Sequence, residues 1–295
     1  KAFGERTLFE NVELQVEGGE RIAILGDNGT GKSTFIKKFM EALVIPNIRD
    51  EHERERARDE MPQSAAGRTV MTTEPKFIPE EAAEISPDGK TKLKIRMIDS
   101  VGYMVDGAVG AEEDGKVRMV TTPWCDEEIP MTQAAELGTK KVMEEHCSIG
   151  LVVTTDGTIT DIPRQDYMEA EGRAITDMKA TGKPFIVIVN SRNPASSQAE
   201  SVKESLMSRF GVDAIVADCQ ALDEADIADM LQRLLYAFPL QELYIHLPRW
   251  MDALDREHPV KASLYHALLE SCDKIQTLGQ ATNILQDLKG TASVE

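Results

Sequence analysis

The chain has few aromatic residues and few cysteines, and it contains no long apolar run. Aromatic side chains make up 5% of its 295 residues, and its four cysteines are widely separated, without the paired spacing of a zinc site or the density of a disulfide scaffold. No apolar segment approaches the ~20 residues of a membrane-spanning helix, and the first residues do not form a secretory leader. We therefore expect a cytoplasmic protein with reduced thiols and no transmembrane segment.

Positive charge is also scarce. The chain has 33 Lys and Arg against 51 Asp and Glu, which gives a net charge of −18. A surface of this sign repels nucleic acid, so DNA and RNA are disfavoured as partners. The remaining composition, 41% hydrophobic and 28% charged, is typical of an enzyme core with a smaller second domain. We expect a first domain over residues 1–238 and the truncated beginning of a second over 239–295.

The most informative segment that is present is rich in glycine. It reads Gly-Asp-Asn-Gly-Thr-Gly-Lys-Ser-Thr, follows the apolar run Ile22–Leu25 and precedes a helical pattern. Strand, glycine loop and helix in this order predict a phosphate-binding P-loop. Glycines let successive N–H groups turn toward a phosphate, Lys32 adds a positive charge, and Ser33 is placed to bind Mg²⁺. We assign to the nucleotide site Gly26, Asp27, Asn28, Gly29, Thr30, Gly31, Lys32, Ser33 and Thr34.

A second loop that fits a phosphate follows the strand pattern Leu93–Ile98. Its sequence is Asp99-Ser-Val-Gly102. Asp99 is suited to hold Mg²⁺ through water, and the Gly102 N–H to meet the γ-phosphate. Thr72 or Thr73, upstream on a loop, would complete the magnesium shell. Asp-x-x-Gly also occurs in ordinary turns, but its place after a strand and downstream of a P-loop favours the nucleotide interpretation.

Strand and helix patterns alternate through the middle of the chain. This order predicts an α/β fold, in which a mainly parallel sheet is covered by helices on both faces and the nucleotide lies at the carboxyl ends of the strands. The predicted strands after Asp99 are 149–154, 184–190 and 214–217, and the predicted helices are 165–181 and 224–236.

Other segments give weaker predictions. The helix after the P-loop is predicted to end near Leu43 because Pro46 follows, and the crowded charges of 49–59 indicate either a mobile segment or an exposed helix. Residues 240–247 alternate like a strand, and 249–288 are predicted to form two helices separated near residue 258. Their apolar stripe favours core packing over partner binding. It comprises Trp250, Leu254, Leu264, Leu268, Leu269 and Ile275.

From Gly31 onward the sequence resembles the stage IV sporulation protein A family. Six strings of the family occur in family order between residues 31 and 185, a span as long as a whole catalytic domain of ordinary size. They are Gly31-Lys-Ser-Thr-Phe-Ile-Lys-Lys-Phe-Met40, Pro62-Gln-Ser-Ala-Ala66, Met71-Thr-Thr-Glu-Pro-Lys-Phe77, Asp99-Ser-Val-Gly-Tyr103, Thr154-Thr-Asp-Gly-Thr158 and Gly182-Lys-Pro-Phe185. Shared P-loop ancestry alone would not reproduce the strings that lie outside the phosphate loops.

The resemblance implies a P-loop NTPase of the translation-factor-like GTPase class that uses ATP and Mg²⁺. Such a protein polymerises into the basement layer of the endospore coat, in the mother cell at the forespore surface. Its implied partners are other coat proteins and a small membrane-anchoring peptide. The implied catalytic residues are Lys32, Thr72, Thr73 and Asp99, and the implied metal ligands are Ser33, Asp99 and Thr72.

The first thirty residues resemble a different class, the ABC-type ATPases. An ABC mechanism needs a Ser-Gly-Gly signature and a strand that ends in Asp-Glu, whereas Asp99 is followed by Ser100. We therefore limit that resemblance to the amino terminus, where a chimera, an engineered join and a divergent relative remain alternatives. The chain has no initial Met, and the family continues beyond its end, so we expect a fragment.

The base and the rate of hydrolysis are predicted from two positions. Asn190-Ser-Arg-Asn193 stands where GTPases carry Asn-Lys-x-Asp, and an amide at residue 193 cannot accept both hydrogen bonds that guanine donates. ATP is therefore favoured over GTP, with Asn190 in the nucleotide site. Tyr103 stands where many GTPases place a water-orienting glutamine, which predicts slow turnover. The alternative function is a nucleotide-binding module without assembly.

Overall fold

A six-stranded sheet flanked by helices forms the main body of the chain. The computed structural model describes residues 2–3, 6–7, 20–62, 75–85, 93–105, 112–113, 116–240, 242–245, 247, 249–255, 257–273 and 275–281. The strands are β1 (Ala2–Phe3), β2 (Arg6–Thr7), β3 (Glu20–Gly26), β4 (Lys76–Ile85), β5 (Leu93–Asp99), β6 (Glu112–Glu113), β7 (Lys116–Val117), β8 (Met119–Thr122), β9 (Cys125–Pro130), β10 (Ile149–Thr155), β11 (Phe185–Asn190) and β12 (Ala214–Ala217). The α-helices are α1 (Lys32–Phe39), α2 (Ile45–Asn47), α3 (Glu51–Asp59), α4 (Met131–Lys141), α5 (Arg164–Ala180), α6 (Ser197–Phe210), α7 (Glu224–Tyr236) and α8 (Pro259–Cys272).

The large sheet has the strand order β12-β11-β10-β3-β5-β4. Its first five strands run parallel, and β4 is antiparallel to β5 at the edge. Every residue of the central strand β10 is buried, as expected of a parallel strand that helices cover on both faces. The predicted mainly parallel α/β fold is confirmed. The loops that follow β3, β5, β10 and β11 all emerge at one edge of the sheet.

The two faces of the sheet carry separate hydrophobic cores. Side chains alternate along a strand, so Ile22 and Ile24 of β3 pack on the side of α1 and α7. Ala23 and Leu25 point to the other face, which α5 and part of α6 cover. The phosphate loop therefore begins at a strand that is fixed from both sides.

The predicted end of the helix after the P-loop is wrong. Helix α1 continues through a π-helical turn, Met40–Val44, into α2, so the helical segment ends at Asn47 and contains Pro46. The Ile45 N–H reaches back to the Met40 carbonyl, and this wider turn accommodates a following residue that has no N–H to donate. Of the two interpretations of residues 49–59, the exposed helix is confirmed by α3.

The carboxyl-terminal predictions hold only in part. Described residues 242–245 and 247 form no strand, the first predicted helix is only a 3₁₀ segment, Arg249–Ala253, and the second is α8. Within α8 no side chain is buried, and Trp250 and Leu269 are 58% and 66% exposed. Core packing therefore does not explain Trp250 and Leu269, whereas the other members of the apolar stripe are half-buried, namely Leu254, Leu264, Leu268 and Ile275. Two hairpins, β6–β7 and β8–β9, lie between β5 and α4 and were not predicted.

Lys183 caps the carboxyl-terminal end of the π-helical segment Val142–His146, which follows α4. Its Nζ donates hydrogen bonds of 2.8 Å to the carbonyls of Met143, Glu144 and Cys147. We expect Lys183→Met to lower the free energy of unfolding by about 1–2 kcal/mol, because helix-terminal carbonyls lose their donor. Urea titration measures this change.

Lys179→Met is the control for that experiment, since Lys179 donates one exposed bond to the Phe210 carbonyl. We expect it to change the free energy of unfolding by less than about 0.5 kcal/mol. Equal losses in the two variants would contradict the assignment of the larger effect to the three carbonyls.

Candidate functional site

The P-loop has the backbone that its glycines predict. Gly26, Gly29 and Gly31 have φ values of 123°, 83° and 96°, which side-chain-bearing residues adopt only with strain. Space excludes larger residues at two of these positions as well. A Cβ at Gly26 would lie 2.1 Å from the Val153 carbonyl oxygen, and one at Gly31 would lie 2.4 Å from Asn190 Nδ2. The loop is therefore closely packed against the neighbouring strands β10 and β11.

Lys32 lies folded into this loop at the first position of α1. Its side chain is buried, and Nζ donates hydrogen bonds of 3.2 Å to the Gly26 carbonyl and 2.8 Å to the Asp27 carbonyl. Burial lowers the pKa of Lys32, while the carboxylates of Asp99 and Asp27 oppose that shift. The ammonium group thus lies within the turn of the P-loop, beside the backbone that would bind a phosphate.

Ser33 and Asp99 lie side by side next to Lys32. The parallel register of β3 and β5 aligns Ile24 with Asp99, so the end of β5 lies beside the loop. Ser33 Oγ donates a hydrogen bond of 2.9 Å to Asp99 Oδ2. Burial raises the pKa of Asp99, and Lys32 and Ser33 oppose this shift. A hydroxyl and a carboxylate, both oxygen ligands, make a donor set that fits Mg²⁺.

The segment after Asp99 covers the same loop. The Tyr103 carbonyl accepts a hydrogen bond of 3.3 Å from the Asn28 N–H, and the Gly102 N–H donates one of 3.1 Å to Thr139 Oγ1 in α4. The buried Tyr103 hydroxyl donates to Asp177 in α5, and burial and Asp177 raise its pKa. The Gly102 N–H is thus bonded to α4, and the Tyr103 side chain points to α5.

Asn190 braces the P-loop through its amide group. Nδ2 donates a hydrogen bond of 2.8 Å to the Thr30 carbonyl, and Oδ1 accepts one of 3.0 Å from the Cys219 N–H. Both ends of the side chain therefore connect backbone segments of the site. Asn193, by contrast, is exposed, and its N–H donates to Ser191 Oγ.

The remaining predicted residues fall into two groups. Asn28 Nδ2 donates to Met104 Sδ at 2.9 Å, Thr30 Oγ1 donates to the Asp27 carbonyl at 2.9 Å, and Thr34 is half-buried on α1. Thr72 and Thr73 lie outside the described residues, so their proposed role stays a prediction.

A buried polar cluster beneath the loop was missed in the sequence analysis. Asp27 is fully buried, and next to it Glu171 of α5 is also buried. Glu171 accepts a hydrogen bond from Thr154 Oγ1 and forms an ion pair of 2.7 Å with Arg164. No sequence signal marks Glu171 or Arg164, because only the packing of α5 against β3 and β10 brings them to the loop.

Within the described ranges, none of the helices is long and apolar enough to cross a bilayer. The four cysteines are free.

Comparison with known proteins gives matches along most of the chain. The sequence model described as "Stage IV sporulation protein A, ATPase domain" matches residues 3–239. Stage IV sporulation protein A of Bacillus anthracis is 44% identical over 278 residues, which cover 94% of this chain and 56% of that relative. The protein of the same name from Clostridioides difficile strain 630 is 43% identical over 279 residues, covering 95% and 57%. The chain thus spans just over half the length of these relatives.

Shorter matches concern the phosphate loop. An uncharacterized ABC transporter ATP-binding protein of Bacillus subtilis is 49% identical over 37 residues, only 12% of this chain. The family match, in contrast, begins at residue 3 and includes the region whose pattern is similar to ABC-type ATPases. With its parallel sheet, its P-loop and a match over more than half of its length, the chain belongs to the stage IV sporulation protein A family and carries the family's ATPase domain.

Proposed function

We propose that the chain binds ATP with Mg²⁺, hydrolyses ATP slowly, and self-assembles into the basement layer of the bacterial endospore coat. The observation that carries the catalytic part is the convergence of Lys32, Ser33 and Asp99 at the carboxyl ends of β3 and β5. Membership of the family supports the morphogenetic part.

Each of these residues would have a separate task in hydrolysis. Lys32 and the loop N–H groups would bind the β- and γ-phosphates and stabilise the charge that develops on them. Ser33 and Asp99 would hold Mg²⁺, which neutralises phosphate charge when bound. Gly102 would exchange its bond to Thr139 for one to the γ-phosphate, and Thr72 and Thr73 would sense that phosphate.

Slow turnover follows from Tyr103, which occupies the position of a water-orienting glutamine. Its hydroxyl is engaged by Asp177, which supports a structural role for Tyr103 and keeps this side chain from orienting the attacking water. A slow enzyme suits a switch, in which bound nucleotide changes a surface used for self-association. The segment proposed for this switch, residues 68–74, lies outside the described residues.

The finer structural proposals concern fold class and domains. The order β12-β11-β10-β3-β5-β4, with one antiparallel edge strand, supports the translation-factor-like GTPase class. We propose the catalytic domain over residues 1–238 and the beginning of a second domain over 239–295. Coat proteins and a small membrane-anchoring peptide are the proposed partners, at the forespore surface of the mother cell.

Phosphate release and sedimentation of the purified chain test this function together. With Mg²⁺ we expect slow release from ATP and less from GTP, and ATP-dependent pelleting of the protein. Tight ATP binding without pelleting would support the alternative, a nucleotide-binding module. Faster release from GTP would overturn the proposed base preference.

The exposed amide of Asn193 gives a prediction about base choice. A carboxylate there accepts two hydrogen bonds from guanine, each worth roughly 1.5–3 kcal/mol to a charged group. We therefore expect Asn193→Asp to shift the GTP-to-ATP affinity ratio toward GTP by at least about tenfold, as measured by competition with a fluorescent nucleotide.

Asn193→Ala is the control, because it removes the amide without adding an acceptor. It should weaken ATP binding without raising the affinity for GTP. An unchanged ratio in Asn193→Asp would remove residue 193 from the base site.

A further inference from the structure

The P-loop contains one acidic residue, Asp27, and the hydrolysis proposed above assigns no role to its carboxyl group. Its side chain is 0% exposed, and among the described residues neither Oδ1 nor Oδ2 accepts a hydrogen bond. A buried ionised carboxylate without donors is costly, so such a group retains its proton. The surroundings of Asp27 therefore favour the neutral acid.

The groups that face Asp27 come from two helices. From α1, Lys32 bonds to the backbone carbonyl of Asp27 and not to its carboxyl oxygens. From α5, the carboxylate of Glu171 and the guanidinium groups of Arg164 and Arg173 act on it. The backbone of Tyr103 pairs with Asp27 on a third side.

Arg164 is paired with Glu171 and is therefore not available to stabilise an ionised Asp27. Arg164 Nη2 lies 2.8 Å from Glu171 Oε1 and 2.7 Å from Oε2, so this nitrogen is shared between both oxygens of Glu171. Arg164 Nη1 is buried and has no partner among the described residues. Arg164 is engaged by Glu171 and Lys32 donates to backbone carbonyls, so among the described residues neither cation donates a hydrogen bond to the carboxyl group of Asp27, which favours its protonated form.

Burial raises the pKa of Asp27 to about 8, and Lys32 is the main opposing influence, while Glu171 raises it further. Asp27 is accordingly protonated at neutral pH and loses its proton as the pH rises through about 8. The charge that then appears lies within the loop that must accept an anion.

We propose that Asp27 is a proton-binding residue of the phosphate loop, and that a nucleoside di- or triphosphate binds tightly only while the carboxyl group of Asp27 is neutral. This inference rests on the proposed nucleotide binding and adds a determinant of affinity to it. Two like charges about 6 Å apart, at an effective dielectric constant of about 20, weaken binding about 100-fold. Because the bound state favours the neutral carboxyl group, nucleotide binding at alkaline pH is accompanied by the uptake of a proton by Asp27.

The test measures binding of Mg²⁺-ADP between pH 7 and pH 9, since ADP avoids hydrolysis and assembly. For the unmodified chain we expect the affinity at pH 9 to be about tenfold lower than at pH 7. Calorimetry at pH 8 in two buffers of different ionisation enthalpy should show uptake of about 0.5 proton. In Asp27→Asn the affinities at pH 7 and pH 9 should differ by less than about twofold, and binding should take up almost no proton.

Two further variants make the result specific. Asp166→Asn removes an exposed carboxylate of the same helix as Glu171, and it should keep the pH profile of the unmodified chain. Glu171→Gln frees Arg164 to pair with Asp27, so the affinity should begin to fall at a lower pH. This second variant also covers the case in which Asp27→Asn fails to fold.

The outcomes separate this inference from the proposed function. A pH profile that persists in Asp27→Asn would assign the effect to Lys32 and overturn the role of Asp27. An unchanged midpoint in Glu171→Gln would also overturn it. Absence of Mg²⁺-ADP binding in every variant at every pH would instead overturn the nucleotide site itself.

Discussion

Lys32→Ala is expected to abolish measurable phosphate release from ATP. Nζ is the only side-chain cation that donates hydrogen bonds to the loop carbonyls of Gly26 and Asp27 among the described residues. Removing one charge-stabilising donor from a transition state costs about 10²–10³-fold in rate. A transferring phosphoryl group carries more negative charge than the single oxyanion to which that range applies. We expect a loss of at least about 10³-fold, and loss of pelleting if assembly needs bound ATP.

The fold should survive this substitution. Lys32 is buried and burial lowers its pKa, so replacing it with alanine removes a buried cation together with its desolvation cost. The melting temperature without nucleotide should fall by no more than a few degrees, whereas the stabilisation that ATP gives the unmodified chain should disappear.

Lys37→Ala is the matched control on the same helix. Lys37 is 41% exposed and forms only a loose ion pair of 4.0 Å with Glu41, so both turnover and assembly should remain within about twofold of the unmodified chain. Full phosphate release by Lys32→Ala would contradict the assignment of the P-loop as the catalytic site. Normal pelleting with lost hydrolysis would separate assembly from turnover.

Gly102→Ala is expected to be the second most damaging change. The backbone at Gly102 has a φ of 85°, and an added Cβ would lie 2.1 Å from the Gly26 carbonyl oxygen and 2.7 Å from Lys32 Nζ. Backbone strain of about 1 kcal/mol accompanies the clash. Because the contacted atoms belong to the P-loop, the loop and Lys32 must move. We expect ATP turnover to fall at least about 100-fold.

The control for this substitution isolates the backbone strain. Gly182 also has a positive φ, 68°, but an added Cβ there has no neighbour within 4 Å. Gly182→Ala should therefore lower the free energy of unfolding by about 1 kcal/mol and leave turnover near that of the unmodified chain. Similar turnover in the two variants would show that contact between Gly102 and the P-loop does not matter for catalysis.

Much of the sheet was predictable because its strands are short apolar runs that are buried on both faces. Strands β10, β11 and β12 begin and end within one residue of the predicted positions. The P-loop was predictable for a different reason, since its residue types follow directly from the backbone conformation that surrounds a phosphate. Both signals are local in the sequence.

Other features depend on contacts that no local pattern contains. Pro46 suggested a helix end, but the π-helical turn before it allows the helix to continue. The carboxyl group of Asp27 is buried where α5 packs over the end of β3, and the backbone of Tyr103 approaches from another side. The ion pair of Glu171 with Arg164 lies within α5, and that same packing brings it to the loop. The amide of Asn190 was predicted to lie in the nucleotide site, while its role in bracing the loop depends on Cys219.

The brace made by Asn190 also sets when the site can form during synthesis. Asn190 and Thr30, which it holds, are 160 residues apart in the sequence, and the Cys219 N–H that fixes the other end of the amide is made later still. At about 5–20 residues per second a ribosome needs roughly 10–30 s to make the intervening chain. A nascent chain therefore carries an unbraced phosphate loop until both Asn190 and Cys219 have been made.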